Sequence, residues 1–169
     1  MTGRGHTGPP RALLALARAV AAGRRVRVAY RDGPGEVSER EVEVLALGFR
    51  WGGWVAACHA LPRGALRLLA VERVLAARVG RRRAGVHRTP GFDAREFALA
   101  DLLDPEAGPA VEVTLLLPPR LAPLAAALLS GAAAEVVRGG ARVHLRVTSR
   151  PALLAMASSL GLRIDSRST

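Results

Sequence analysis

The residues able to do chemistry in this chain are few, and most are arginine. Cys58 and His59 are adjacent, as a thiol nucleophile and its base would be, but neighbours on an extended strand project to opposite faces. A small cysteine flanked by alanines fits a core position better. His6, His59, His87 and His144 lie far apart, without the ligand spacing of a zinc site. Glu39, Glu41 and Glu43 alternate along one strand face between arginines, which reads as a solvated, charge-paired face rather than an acid–base pair. No Gly-rich phosphate loop ending in Lys-Ser/Thr and no dinucleotide fingerprint is present. These patterns point to a binding protein, not an enzyme, with neither metal nor cofactor expected.

The charge says what would be bound. All 25 basic residues are arginine, against 14 acids, for a formal charge of +11. Residues 1–90 hold 17 arginines and 6 acids, whereas residues 91–169 hold 8 of each, so the whole excess falls in the first part. A field concentrated in this way attracts polyanions. The absence of Lys, Asn and Gln is what GC-rich coding produces. Its physical consequence is a surface of planar, bidentate donors suited to phosphate.

The remaining composition sets the class. Half of the 169 residues are hydrophobic but only 4% aromatic, so the core must be Leu, Val and Ala. The single cysteine rules out an internal disulfide, and a reducing cytoplasm is the expected location. No apolar run suffices to span a bilayer: the longest, over 12–22, is interrupted by Arg18 and ends at Gly23. Residues 1–9 lack the features of a signal peptide and read as a disordered tail.

The elements that must position these arginines follow from periodicity. Pro9 and Pro10 open a helix that runs to residue 22 and stops at Gly23. Residues 24–31 alternate, with Val26, Val28 and Tyr30 on one face and Arg25, Arg27 and Arg31 on the other. A turn at 32–35 leads to a second strand over 37–49, whose alternation breaks near Leu45 in the manner of a bulge. Trp51-Gly52-Gly53 turns the chain into a third strand over 54–60. Residues 65–71 and 74–79 give two more. One helix and five short strands predict a small, strongly bent barrel. The polar stretch from Arg78 through Arg81, Arg82 and Arg83 to Pro90 reads as a linker. A short helix over 92–103 follows, anchored by Phe92, Phe97 and Leu102. The order of elements from residue 111 is β-α-β-β-α-β, with Ser149 as a helix N-cap and 162–164 as an edge strand. This is the order of a ferredoxin-like sandwich.

Four segments carry a family resemblance. They are Val28-Ala29-Tyr30, Arg40-Glu41-Val42-Glu43-Val44, Gly53-Trp54-Val55-Ala56-Ala57, and Arg67-Leu68-Leu69-Ala70-Val71-Glu72-Arg73-Val74. Their order and spacing resemble the WYL domain family, bacterial regulatory domains with a small Sm/SH3-like barrel. The stretch from Phe92 onward resembles the extension that commonly follows such a barrel. The name-giving Trp-Tyr-Leu triplet is Trp54-Val55-Ala56 here, and only one helix precedes the barrel, too little for the winged helix-turn-helix that most members carry. The resemblance implies an effector or nucleic-acid surface formed by Tyr30, Arg40, Trp54, His59, Arg67 and Arg73, with Arg81, Arg82 and Arg83 as an auxiliary basic patch.

The expected organisation is thus α+β: a tail (1–9), a basic barrel domain (10–90), a connecting helix and linker (91–109), and a charge-neutral α/β extension (110–169). The expected function is a ligand-sensing module in transcriptional regulation that binds single-stranded nucleic acid or a nucleotide-like effector, away from membranes. The competing expectation is a dimerisation module of a split regulator, pairing with itself or with a full-length relative and having no nucleic-acid affinity of its own.

Overall fold

A computed structural model describes residues 11–62, 64–85, 90–129 and 134–162. The expected N-terminal tail, His6, Arg63, His87 and residues 163–164 of the expected last strand lie outside the described residues.

Helix α1 (Arg11–Ala22) buries Leu13, Leu16 and Ala17, one turn apart on one stripe, and leaves Arg11 and Arg18 exposed. Gly23 ends it in the left-handed region at φ +59°, where a Cβ would be strained. Five strands follow: β1 (Arg24–Gly33), β2 (Glu36–Arg50), β3 (Gly53–Ala60), β4 (Ala65–Ala70) and β5 (Val74–Arg83). They form one antiparallel sheet in the order β4-β3-β2-β1-β5. The turn between β2 and β3 holds both Trp51 (φ +53°) and Gly52 (φ +77°) at positive φ, the pattern of a tight hairpin turn.

Two expectations need correction here. The sheet is not closed into a barrel, because β4 and β5 are its two edges and no ladder joins them among the described residues. A 3-10 turn, Val71–Arg73, lies between them, and β5 pairs with β1 instead. In addition, β5 does not stop at residue 79: it runs to Arg83, with Arg24 paired to Arg83, so the supposed linker at 81–83 is strand. A run of arginines has no apolar alternation by which a strand could be recognised.

The bulge expected at Leu45 is present, between Val44 and Ala46. It shifts the phase of β2, so that Glu39, Glu41 and Glu43 before it and Ala46 and Gly48 after it all lie on the face turned away from α1.

The second half contains α2 (Ala94–Leu99), β6 (Val111–Leu117), a 3-10 turn (Pro119–Leu121), α3 (Pro123–Leu129), β7 (Ala134–Val137), β8 (Gly140–Val147) and α4 (Arg150–Ser159). Its sheet has the antiparallel order β6-β8-β7. Strand β8 alternates cleanly, with Ala141, Val143, Leu145 and Val147 buried and Arg142, His144 and Arg146 exposed. Ser149 caps α4 as expected, accepting from the Ala152 amide at 3.3 Å.

One hydrophobic cluster unites the two halves. It joins Leu13 and Leu16 of α1 and Val26, Val28, Leu47 and Trp54 of the first sheet to Leu117, Leu124, Val143 and Met156 of the second half. Helix α1 packs against β1, β2 and β5 and also against α3. A smaller cluster lies on the opposite face of the first sheet, where Ala46, Val55 and Ala57 meet Phe97 of α2. Gly48 lets α2 approach closely there: a Cβ on Gly48 would stand 3.0 Å from the Phe97 carbonyl oxygen and 3.1 Å from the Ala98 Cα.

Candidate anion-binding groove

The groove arises where β1 and β5 meet. The alternation of β1 sends Val26 and Val28 into the core, so Arg25 and Arg27 must face outward. On the β5 side Arg27 is directly opposite Arg78, and on the β2 side it is opposite Glu41. Like charges in direct cross-strand contact are unfavourable, by a few tenths of a kcal/mol to about 1 kcal/mol, and an anionic ligand would relieve them. The register shifts between Arg24 and Val26, where β5 carries extra residues and bulges. Gly80 sits in that bulge, and a Cβ there would approach the Arg25 carbonyl oxygen to 3.2 Å. The result is a cavity of about 510 Å³ lined by five arginines, Arg25, Arg27, Arg78, Arg81 and Arg82, and one acid, Glu41.

Arg25 is the ordered member of this set. Its Nη1 donates to Glu41 Oε1 at 3.2 Å and its Nε to Glu43 Oε1 at 3.2 Å. Glu43 is 1% exposed, so the expected solvated glutamate face is corrected at this position. The chain leaving β5 covers it: the Gly85 amide donates to the same Glu43 Oε1 at 3.0 Å, and the Ala84 amide donates to the Gly23 carbonyl at 2.8 Å. Glu41 is half-buried, and Glu39 is exposed as expected.

Of the residues drawn from the family resemblance, Tyr30 and Arg40 are in contact, and the six do not form one open surface. Tyr30 is buried. Its hydroxyl accepts from the Ala70 amide at 3.3 Å, and the Arg40 guanidinium stands 5.6 Å above its ring. Arg40 is half-buried, bonded to Asp32 and to Ser38 Oγ. Trp54 is 2% exposed, packs edge-on against Phe49 and donates from Nε1 to Ser159 Oγ at 2.9 Å, so neither face of its ring is open to a base. His59 is buried opposite Glu43 on β2 and Leu66 on β4. Arg67 and Arg73 are both exposed, but the strand gives way to the 3-10 turn at Val71, so the two occupy different elements and share no strand face. Of the auxiliary patch, Arg81 and Arg82 line the groove, and Arg83 lies at its end opposite Arg24.

Cys58 lies on the inner face opposite Val44, and burial pushes its thiol up to about 12. A thiol held neutral across the physiological range is no nucleophile. Among the described residues no three His, Cys, Asp or Glu side chains gather as metal ligands, and no helix is long and apolar enough to cross a membrane.

The sequence reading passed over Arg25, Arg27 and Arg78. Their signal was available: two charged residues on the polar face of an alternating strand, and a third arginine on the strand that pairs with it. What sequence could not supply was the β1–β5 pairing. It also passed over Trp51, which is 68% exposed and carries the Arg50 guanidinium 4.4 Å from its ring centre. Asp101 accepts from the Trp51 amide at 2.9 Å.

A helix followed by a five-stranded antiparallel sheet, joined to an α/β half, defines a mixed α+β module with a basic groove on its first sheet. Residues 11–79 match the model of the WYL domain, so this part of the chain is similar to that family. Among solved structures the chain is similar to proteasome accessory factor B/C (PafBC) of Arthrobacter aurescens, at 24% identity and a TM-score of 0.45. The likeness covers 89% of this chain and 23% of that one, so the chain spans less than a quarter of that protein's length. No curated protein matches the sequence.

Proposed function

We propose that the chain is a ligand-sensing regulatory module whose β1–β5 groove binds the phosphates of single-stranded nucleic acid or of a nucleotide-like effector. The observation that carries this reading is the groove itself, with five arginines against one carboxylate around a concave surface. Guanidiniums bind phosphate bidentately, and Arg25, the half-buried member of the set, is the one partly shielded from water. The match of residues 11–79 to the WYL domain, a type of domain found in regulators, supports the regulatory part of the reading. The deciding experiment is a titration of single-stranded DNA, single-stranded RNA and matched duplex at several salt concentrations. The expected result is tighter binding of single strands, with an affinity that falls steeply with salt. Duplex binding as tight as single-strand binding at moderate salt removes the preference.

A second reading has its own observation. Among the described residues strand β4 is a sheet edge with no partner on its outer side, and Leu66 and Leu68 on its outward face are 40% and 49% exposed. An unpaired edge with exposed leucines is a template for pairing with another chain. A dimer that persists at high salt and dissociates on Leu68→Lys, in a protein without nucleic-acid affinity, would favour dimerisation as the function.

A further inference from the structure

Glu43 does more than balance a charge. One oxygen of this buried carboxylate accepts from Arg25 Nε at 3.2 Å and from the Gly85 amide at 3.0 Å. Arg25 lines the groove, whereas Gly85 belongs to the segment that leaves β5 toward the second half of the chain. The same oxygen therefore touches the binding surface on one side and the connection between the halves on the other. Gly80 completes the arrangement, because a Cβ added there would stand only 3.2 Å from the Arg25 carbonyl oxygen.

We infer that Glu43 is the positioning residue of the groove and couples its occupation to the segment at Ala84–Gly85. This rests on the proposed reading of the groove as a phosphate site. The orientation of Arg25 held by Glu41 and Glu43 presents its guanidinium on the groove wall, so a phosphate that binds there favours this orientation over others. Four further arginines keep the field positive despite the two carboxylates. Whatever favours the Arg25–Glu43 bond also favours the carboxylate geometry that receives the Gly85 amide. Coupling of this kind is reciprocal: an ordered Gly85 segment strengthens phosphate binding as much as phosphate orders the segment.

The test uses the full chain and an oligo-dT probe of roughly ten nucleotides, within the range one small β-fold accommodates. Affinity is measured by titration, and amide exchange of Ala84 and Gly85 is followed with and without saturating probe. In the wild-type protein the probe is expected to slow Gly85 exchange about tenfold, within the usual range of coupling. In folded Glu43→Gln the neutral amide holds Arg25 less firmly. The probe should bind several-fold more weakly, and its effect on Gly85 exchange should shrink. Glu43→Asp should restore part of that effect. The wild-type measurement decides the matter even where a variant fails to fold. Probe that binds while Gly85 exchange stays unchanged overturns the coupling and leaves the groove standing. A wild-type protein that does not bind the probe overturns both.

Discussion

The outward face of the first sheet is two different surfaces. Over β2 and β3 beyond the bulge it is apolar, and Ala46, Gly48, Val55 and Ala57 lie beneath α2 and Phe97. Over β1 and β5 it is a concave surface lined by arginines, and no helix covers it among the described residues. Both surfaces belong to one continuous hydrogen-bonded ladder, so backbone pairing does not distinguish them. What distinguishes them is side-chain size and charge: small residues admit a helix, whereas arginines on neighbouring strands line a groove.

That contrast predicts graded effects. The largest is expected from Phe97→Ala, which empties the centre of the apolar half and should cost about 3–5 kcal/mol in urea unfolding. Gly48→Ala comes next. Its new methyl meets backbone on α2, and the overpacking should cost about 1–3 kcal/mol. Alkaline pH gives the third effect, through Cys58 behind the same sheet. Its folded pKa of about 12 lies above the ordinary 9.0, so between those values the unfolded chain has lost a proton that the folded chain keeps. Stability should therefore fall as pH rises above 9, by at most about 1.4 kcal/mol per pH unit from this group. A pH series of melts, with Cys58→Ala as the control, checks the slope. The smallest effect on stability is expected from Arg27→Thr with Arg78→Thr, under about 0.5 kcal/mol. The same pair should flatten the salt dependence of single-strand binding by about 0.7 per lost contact. If the double arginine variant unfolded as readily as Phe97→Ala, the division between the two surfaces would be wrong.

How much of this could be read from sequence depended on local signal. The first four strands, the bulge at Leu45 and the Ser149 cap were legible, because alternation and capping are properties of neighbours in the chain. The end of β5 was not legible, because a run of arginines looks like a solvated linker until the partner strand is known. Closure of the sheet was misjudged because it depends on which edges meet, which short turns do not determine. The surroundings of the candidate residues were the least legible: Tyr30 and Trp54, which the family resemblance implies for a surface, face inward on their strands and are buried. Arg27 and Arg78 gained their meaning only from lying opposite one another.

The bond from Trp54 Nε1 to Ser159 Oγ spans 105 residues of chain. Chains leave the ribosome at about 5–20 residues per second, so Trp54 emerges some 5–20 s before its partner is made. Throughout that interval a large indole and the apolar face of α1 beside it lack the contacts that the second half provides. Any factor that guards nascent hydrophobic surface has this window in which to act, and translation speed between Trp54 and Ser159 becomes a determinant of yield.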